Sequence, residues 1–159
     1  MILSEFILLG IGGKELSEEN AAQTAKALNI IQPDFIRVHA TGIKLESKLG
    51  EFVRDGSFTL QSEEEIVIEQ KLFLQQLHEM DSYYVNEHIV NLLLEVRGNL
   101  RTEKQEMLST IDRFLTLPPD ERLLFTVGRR LNIFFRLDDL KKPKLHQKAG
   151  ESLQQILSK

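Results

Sequence analysis

The sequence predicts an α/β protein that begins with one strand-helix-strand unit and continues as a mostly α-helical chain. Near the N-terminus, an apolar run at Ile7–Leu9 ends in a glycine turn, and a helical pattern and a second strand pattern follow. Beyond residue 60, apolar residues recur three or four positions apart, the spacing of helices that bury one face. We therefore divide the chain into an α/β segment, 1–60, and a helical region, 61–159.

Composition excludes several classes of function. Apolar residues make up 42% and charged residues 28% of the 159 residues, which is typical of a globular protein. A net charge of −4 provides no overall field that attracts nucleic acid or an anionic membrane, so we expect neither partner. Without cysteine, the chain cannot form disulfides, thiol nucleophiles or cysteine-bound metal centres by itself. No basic signal segment and no apolar run of about 20 residues is present, so we expect a cytoplasmic location.

The strand-helix-strand unit is read from the first 40 residues. The uninterrupted run Ile7–Leu9 is typical of a parallel strand covered on both faces. Ser17 is the expected N-cap of a helix over about Glu18–Leu28, which Pro33 closes off. Branched and aromatic residues then predict a second strand at Phe35–Ala40. Such a unit is right-handed and its two strands are parallel.

Capping signals predict the helices that follow. The spacing of apolar residues over Leu45–Val53 is helical, and Gly56 ends the pattern. Ser62 and Glu65 form a capping box that opens a long helix reaching Met80.

Beyond residue 80, the sequence pattern predicts one more strand and four more helices. Tyr83–Val85 reads as a brief third strand and His88–Val96 as a short helix. Thr102–Gln105 has the pattern of a second capping box. Proline and apolar spacing predict the remaining helices at 102–117, 120–130 and 144–157.

The glycine turn Gly10–Glu15 is the segment best suited to a ligand. Glycines at the end of a strand expose backbone amides and the start of the next helix, which suits an adenosine or a phosphate group. The spacing matches neither the dinucleotide-binding fingerprint nor the P-loop. On the pattern alone, a ligand turn and a simple tight turn both stay open.

Three segments resemble one family. "FILLGIGGKELSEENAAQTAKALNIIQPDFIRV", "VRDGSFTLQSEEEI" and "YVNEHIVNLLLEVRGNLRTEKQEMLSTID" resemble the late barrel strands and the following segments of radical S-adenosylmethionine (radical SAM) enzymes of the iron-sulfur oxidoreductase type. The resemblance is strongest over Glu5–Val38 and Tyr84–Asp112 and weakens beyond Lys141. The family has a proline-rich turn after its last strand, whereas residues 45–48 of this chain contain no proline. The Gly-x-x-x-Gly-x-x-Glu pattern of the family's adenine-binding strand is matched only in half, by Gly12 and Glu15.

The resemblance implies that the chain is the C-terminal part of such an enzyme. The family folds as a partial (β/α) barrel and holds a 4Fe-4S cluster in a Cys-x-x-x-Cys-x-x-Cys loop, which this chain lacks, so it would be inactive alone. The strand-helix-strand unit of this chain would be the last such unit of the barrel. S-adenosylmethionine and the cluster would be cofactors of the full-length parent. The residues implied to lie beside S-adenosylmethionine are Gly10, Ile11, Gly12, Gly13, Glu15, Val38, His39 and Ala40.

The four histidines differ in their surroundings. His88, with Asn91 close by, reads first as a structural histidine. His39 lies at the end of a strand, where its ring can point into a barrel mouth. His78 and His146 lie among charged residues and are expected to be solvated. No spacing of histidines and carboxylates indicates a metal site.

Three hypotheses therefore remain. The first is a fragment of a radical SAM oxidoreductase with unknown substrate, which forms a homo-oligomer through the exposed barrel edge at the Ile7 strand. The second is a self-standing helical protein-interaction module without catalytic activity. The third is a small-molecule transferase that uses the glycine turn, although the sequence offers it no convincing nucleophile or base.

Overall fold

The computed structural model describes residues 1–44 and 46–158, which form a four-stranded sheet and six α-helices. In chain order these elements are β1 (Ser4–Leu9), α1 (Ser17–Ile31), β2 (Phe35–Ala40), α2 (Lys48–Arg54), α3 (Glu63–Gln76), β3 (Tyr83–Val85), β4 (Gly98–Asn99), α4 (Lys104–Leu115), α5 (Pro119–Arg130), a short 3-10 helix (Leu137–Lys141) and α6 (Pro143–Leu157). The predicted mixed α/β class with a helical C-terminal majority is confirmed.

The sheet has the strand order β1-β2-β3-β4. β1 pairs in parallel with β2 and β2 with β3, whereas β4 runs antiparallel to β3. On one face, Ile7, Ile36 and Val38 are at most 8% exposed, and α1 and α3 pack together behind β1. β1 is left at the edge of the sheet.

The opposite face of β1 and β2 is open. Phe6 is 64% exposed and Leu8 47% exposed, and their register partners on β2 are Arg37 and His39. We call these four residues together with Phe35 the open face. The prediction that β1 is covered on both faces is therefore wrong for the described part of the chain, because α1 and α3 lie on the same side of the strand.

One hydrophobic core joins the sheet to the helical region. It runs from Ile7 in β1 to Ala149 in α6 without a break between the segments 1–60 and 61–159. At its centre the rings of Phe125 and Phe134 stack with centroids 5.9 Å apart, and Phe114 lies 5.8 Å from Phe125. Burial of these aromatic rings fastens α4 and α5 to the segment that follows them.

Several predicted boundaries agree with the structure. β2 spans the predicted residues, the Ser62–Glu65 capping box is formed in both directions, and Pro119 opens α5. The helix predicted from Leu45 begins at Lys48 instead, after an N-cap at Ser47, and Leu45 itself lies outside the described residues.

None of the helices in the described ranges has the length and apolar character needed to cross a membrane.

Three predictions about the chain beyond α2 are wrong. α3 ends at Gln76 rather than Met80, because Leu77 takes an extended conformation. The helix predicted at His88–Val96 is a series of turns, in which the Asn91 amide closes a single turn on His88. The second capping box is absent, because Glu103 is the N-cap of α4 and its carboxylate accepts a bond from the amide of Asn99.

Candidate functional site

The carboxyl ends of β1 and β2 lie side by side, but the residues implied by the resemblance there lie on different faces of the sheet, with Val38 in the core and His39 on the open face. Leu9 and Ala40 are register partners, so the glycine turn after β1 and the last residues of β2 leave the sheet at the same edge. The amide and the hydroxyl of Thr41 both donate to the Leu9 carbonyl at 2.8 Å. In parallel α/β proteins this edge is where ligands are usually held.

The glycine turn is tight and its backbone requires glycine. Gly10 and Gly13 have φ angles of +81° and +63°, a region that side-chain-bearing residues rarely adopt. A Cβ atom on Gly13 would also lie 2.9 Å from the Thr59 carbonyl oxygen, and one on Gly12 would lie 2.9 Å from the Leu16 carbonyl oxygen. The turn therefore packs closely against the segment before α3.

A carboxylate of the chain itself is bound to the glycine turn. Glu69, on α3, is fully buried and accepts bonds from the Gly10 amide at 3.2 and 3.3 Å, the Ser17 hydroxyl at 3.2 Å and the Asn20 amide at 2.6 Å. It joins the glycine turn to the first turn of α1 and to α3 through one backbone donor and two side-chain donors. The prediction that Ser17 is the N-cap of α1 is wrong. Leu16 is the N-cap, and it makes no side-chain capping bond.

Sequence reasoning missed Glu69, although a signal exists. It lies three residues after Ile66 and four before Phe73, on the apolar face of the predicted helix. An acidic residue at a core position is almost never buried without partners. That position pointed to a buried acceptor for backbone or side-chain donors.

The acidic end of the glycine turn is also engaged. The Thr59 hydroxyl donates to Glu15 at 2.5 Å, and the Lys14 amide donates to the Thr59 carbonyl at 3.0 Å. The Thr59 hydrogen bond holds the pKa of Glu15 below its usual value. Ile11 differs from its neighbours, because its side chain is 42% exposed at the tip of the turn.

Asn91 completes the edge of β2 beyond the end of β3. Its Oδ1 accepts from the Ala40 amide at 2.8 Å and its Nδ2 donates to the Val38 carbonyl at 2.7 Å, both in buried surroundings. Asn91 also donates to Asn86, whose own amide donates to the Leu93 carbonyl at 2.5 Å. The backbone groups of Val38 and Ala40 therefore have partners within the chain.

A cavity of about 310 Å³ opens beside these strand ends. Its lining includes Ala40, Gly42, Gln61 and Asn91, and an ion pair between Arg130 and Glu63 stands at its rim. Gln61 donates to Ser17 at 2.9 Å, but its buried Oε1 has no hydrogen-bond partner. A buried acceptor on a residue of the cavity lining is thus left without a donor in the described part of the chain.

His39 lies on the open face rather than in this cavity. Its ring stacks on that of His88, with centroids 4.2 Å apart and an interplanar angle of 6°. The Phe6 ring meets His39 edge-on at 5.3 Å. Burial, the neighbouring His88 and the charge of Arg37 all lower the pKa of His39.

Arg37 lies beside the histidines on the same face. Its Nε donates to the Ser4 hydroxyl at 3.1 Å, and its guanidinium carbon lies 5.9 Å and 5.8 Å from the ring centroids of Phe6 and Phe35. Both aromatic contacts are within the range of cation-π attraction. Histidine and arginine therefore share a face on which two phenylalanine rings are also present.

A second cavity, of about 510 Å³, lies between β3 and the helical region. Charged residues of both signs line it, including Glu95, Arg97, Arg113 and Arg136. Arg97 pairs with Glu87, which lies outside the lining, and Arg113 pairs with an aspartate within it. Burial raises the pKa of Glu95.

No metal centre is indicated in the described ranges, where histidine and carboxylate side chains form no group of three suited to a metal ion. Among the other histidines, His78 is exposed, and His146 lies 3.3 Å from a carboxylate oxygen of Glu121.

No protein-family model matches the chain, and no curated protein or solved structure matches it either.

Proposed function

We propose that this chain is the C-terminal part of a radical SAM iron-sulfur oxidoreductase, with β1, α1 and β2 as the last unit of a partial (β/α) barrel. The observation that supports this most is the one-sided covering of the parallel strands. In a barrel of strand-helix units the helices lie outside and the other strand face lines the interior. Helices on one side and the open face on the other are what such a unit requires.

In this proposal, the carboxyl ends of β1 and β2 form part of the wall beside S-adenosylmethionine. The accessible groups there are the Ile11 side chain, which is 42% exposed, and the His39 ring. The Gly10 amide is bound by Glu69, so the turn would present its outer surface and not that amide to a ligand. Ile11 would supply apolar contact, and His39 would face the interior of the barrel.

The residues of this chain do not fit the 4Fe-4S cluster of the parent. Such clusters are held by cysteine thiolates, and the chain contains no cysteine. We assign the cluster to the part of the parent that carries the three-cysteine loop, and no step of the reaction to this chain alone. The isolated chain is therefore proposed to be inactive.

A helical interaction module is the second candidate. It is favoured by the bonds from the Gly10 amide to Glu69 and from the Ala40 amide to Asn91, which leave these two amides no need of a ligand. On this alternative the strand-helix-strand unit serves only to anchor the helical region.

The decisive experiment begins with the genomic DNA that precedes the reading frame. A continuous frame that encodes the three-cysteine loop supports the enzyme, and a stop codon with its own ribosome-binding site supports the module. The longer protein, with its cluster reconstituted, is then expected to release 5′-deoxyadenosine from S-adenosylmethionine, and the isolated chain to release none.

A matched pair of variants tests the wall. In the longer protein, Ile11→Asp is expected to raise the Kd for S-adenosylmethionine about tenfold or more. Ile30→Asp, an equally large change at a 78% exposed position on α1, should leave the Kd unchanged. Equal Kd values for the two variants would remove Ile11 from the site. Gly12→Val is unsuitable for this purpose, because its Cβ would crowd the Leu16 carbonyl.

A further inference from the structure

We infer that the open face binds an organic anion, an apolar or aromatic molecule that carries a carboxylate, with Arg37 as the group that receives the carboxylate. The inference rests on the proposed function in one respect, since that function makes the open face the substrate side of a barrel. The binding chemistry itself depends only on contacts within this chain.

Arg37 is a cation without a carboxylate partner in the described part of the chain. Its one hydrogen bond runs from Nε to the Ser4 hydroxyl, which leaves the terminal nitrogens of the guanidinium available. Elsewhere the arginines at 97, 101, 113, 122 and 130 each pair with a carboxylate at 3.0 Å or less. A planar guanidinium whose two terminal nitrogens are free is suited to bidentate contact with a carboxylate.

The acidic side chains that adjoin the open face in sequence or register have other partners or lie on the opposite side of β1. Glu87, next to His88, pairs with Arg97 at 2.6 Å. Asp34, just before β2, accepts a bond from the Leu3 amide at 2.7 Å. Glu5 lies on the opposite side of β1, since its register partner is the buried Ile36. The open face is thus locally cationic on a protein with a net charge of −4.

The surroundings of Arg37 are apolar and exposed, as an organic ligand requires. The guanidinium carbon lies 5.9 Å from the Phe6 ring centroid and 5.8 Å from that of Phe35, and Leu8 is 47% exposed on the same strand as Phe6. A ligand that covers these side chains removes water from the guanidinium, which strengthens its contact with a carboxylate. Aromatic and apolar groups of the ligand would lie on Phe6 and Leu8.

The stacked histidines supply a second polar group at the edge of this surface. His39 is adjacent to Leu8 in register and stacks on His88, whose buried Nδ1 has no hydrogen-bond partner. Burial first, and then His88 and Arg37, lower the pKa of His39 in the free protein. A bound carboxylate would oppose the part of this shift that comes from Arg37.

The test compares a charged and a neutral probe on the 159-residue chain. The anionic probe is 8-anilinonaphthalene-1-sulfonate, whose sulfonate stands in for the carboxylate, and the neutral probe is N-phenyl-1-naphthylamine. Arg37→Gln is expected to raise the Kd of the sulfonate about tenfold or more, which is the loss of a charged hydrogen bond. The Kd of the neutral probe should change less than twofold, and Arg37→Lys should recover part of the sulfonate affinity.

Arg101→Gln is the matched control, because Arg101 is an exposed arginine that pairs with Asp81. It should leave both Kd values unchanged. Amide chemical shifts locate the probe, and we expect the largest changes at Phe6, Leu8 and His39. Equal effects of Arg37→Gln and Arg101→Gln, or shifts centred on Arg97 and Arg113 at the larger cavity, would overturn the inference.

The outcome is separable from that of the proposed function. If the longer protein releases 5′-deoxyadenosine but Arg37→Gln leaves the Kd of the sulfonate unchanged, only the anion site is contradicted. If the sulfonate depends on Arg37 but no three-cysteine loop precedes the chain, the anion site stands and the radical enzyme does not.

Discussion

Glu69 is the buried charge on which the turn between β1 and α1 depends. Its carboxylate receives three kinds of donor, from Gly10, Ser17 and Asn20, in the core of the protein. We predict that Glu69→Ala lowers the free energy of unfolding by about 2–3 kcal/mol, because these donors lose their acceptor without regaining water. Urea denaturation followed by circular dichroism measures the change.

The control for this prediction is Glu64→Ala on the same helix. Glu64 pairs with Arg122 at 3.0 Å near the surface, so its loss should cost at most about 1 kcal/mol. If the two variants unfold at the same urea concentration, water or another group must replace the carboxylate at the turn.

His39 is expected to make stability depend on pH. Its pKa in the folded protein is lowered by burial, by His88 and by Arg37 from a usual value of 6.5. The folded state therefore binds fewer protons than the unfolded state, so the contribution of His39 to stability is complete above about 6.5 and is lost as the pH falls through 6.5 toward the folded pKa.

We predict that His39→Gln reduces the loss of unfolding free energy between pH 7.5 and pH 5.5, measured by urea denaturation at several pH values. His78→Gln, at an exposed histidine, should keep the slope of the wild-type protein. An unchanged slope in His39→Gln would assign the titration to another group.

At the scale of the helices, two glycines separate intrinsic helix propensity from packing. A Cβ on Gly128 in α5 would lie 2.3 Å from the Phe134 ring, whereas a Cβ on Gly150 in α6 would meet nothing within 4 Å. We predict that Gly150→Ala raises the melting temperature, with a gain of about 0.5–1 kcal/mol. Gly128→Ala should lower it, because overpacking costs about 1–3 kcal/mol. Differential scanning calorimetry of both variants gives the two signs, and a gain in both would mean that Phe134 moves freely.

The segment that links β3 to β4 is held to the end of β2 by the side chain of Asn91. Asn91 bonds to the backbone of Val38 and Ala40, and this arrangement replaces the helix that the spacing predicts. We predict that Asn91→Ala accelerates hydrogen exchange of the Ala40 amide at least tenfold, measured by NMR. The Leu28 amide in α1 is the internal control and should keep its rate. Unchanged exchange at Ala40 would mean that another group takes the place of Asn91.

At the scale of the whole molecule, the edge of the sheet is the feature that favours self-association. β1 is an edge strand and carries the exposed Phe6 and Leu8, a combination that natural proteins usually cover or pair. We predict a homo-oligomer whose mass, measured by light scattering after size exclusion, rises with concentration. Phe6→Lys should reduce the association, and so should the anionic probe at saturation, because it covers Phe6 and Leu8. Ile30→Lys on α1 should not reduce it. A constant monomer mass at all concentrations would contradict the prediction.

Much of the secondary structure was readable because it depends on neighbours in the chain. The boundaries of β2, the capping box at Ser62 and Glu65 and the proline that opens α5 each involve residues within a few positions of one another. The candidate site was readable only in part. The glycine turn and the end of β2 were identified, but Glu69 contacts Gly10 from 59 residues away in the sequence, and Gln61 contacts Ser17 from 44 residues away.

The sequence by itself determined the order of the first elements, the mixed α/β class and the position of the glycine turn, because local backbone preferences and periodicity suffice for these. Only the tertiary structure decided which groups are bonded within the chain and which remain accessible. It joined Glu69 to the Gly10 amide and Asn91 to the end of β2, and it left Arg37 on an open face without a carboxylate. The physical reason is that pairing and burial depend on which distant residues the fold brings within a few ångströms.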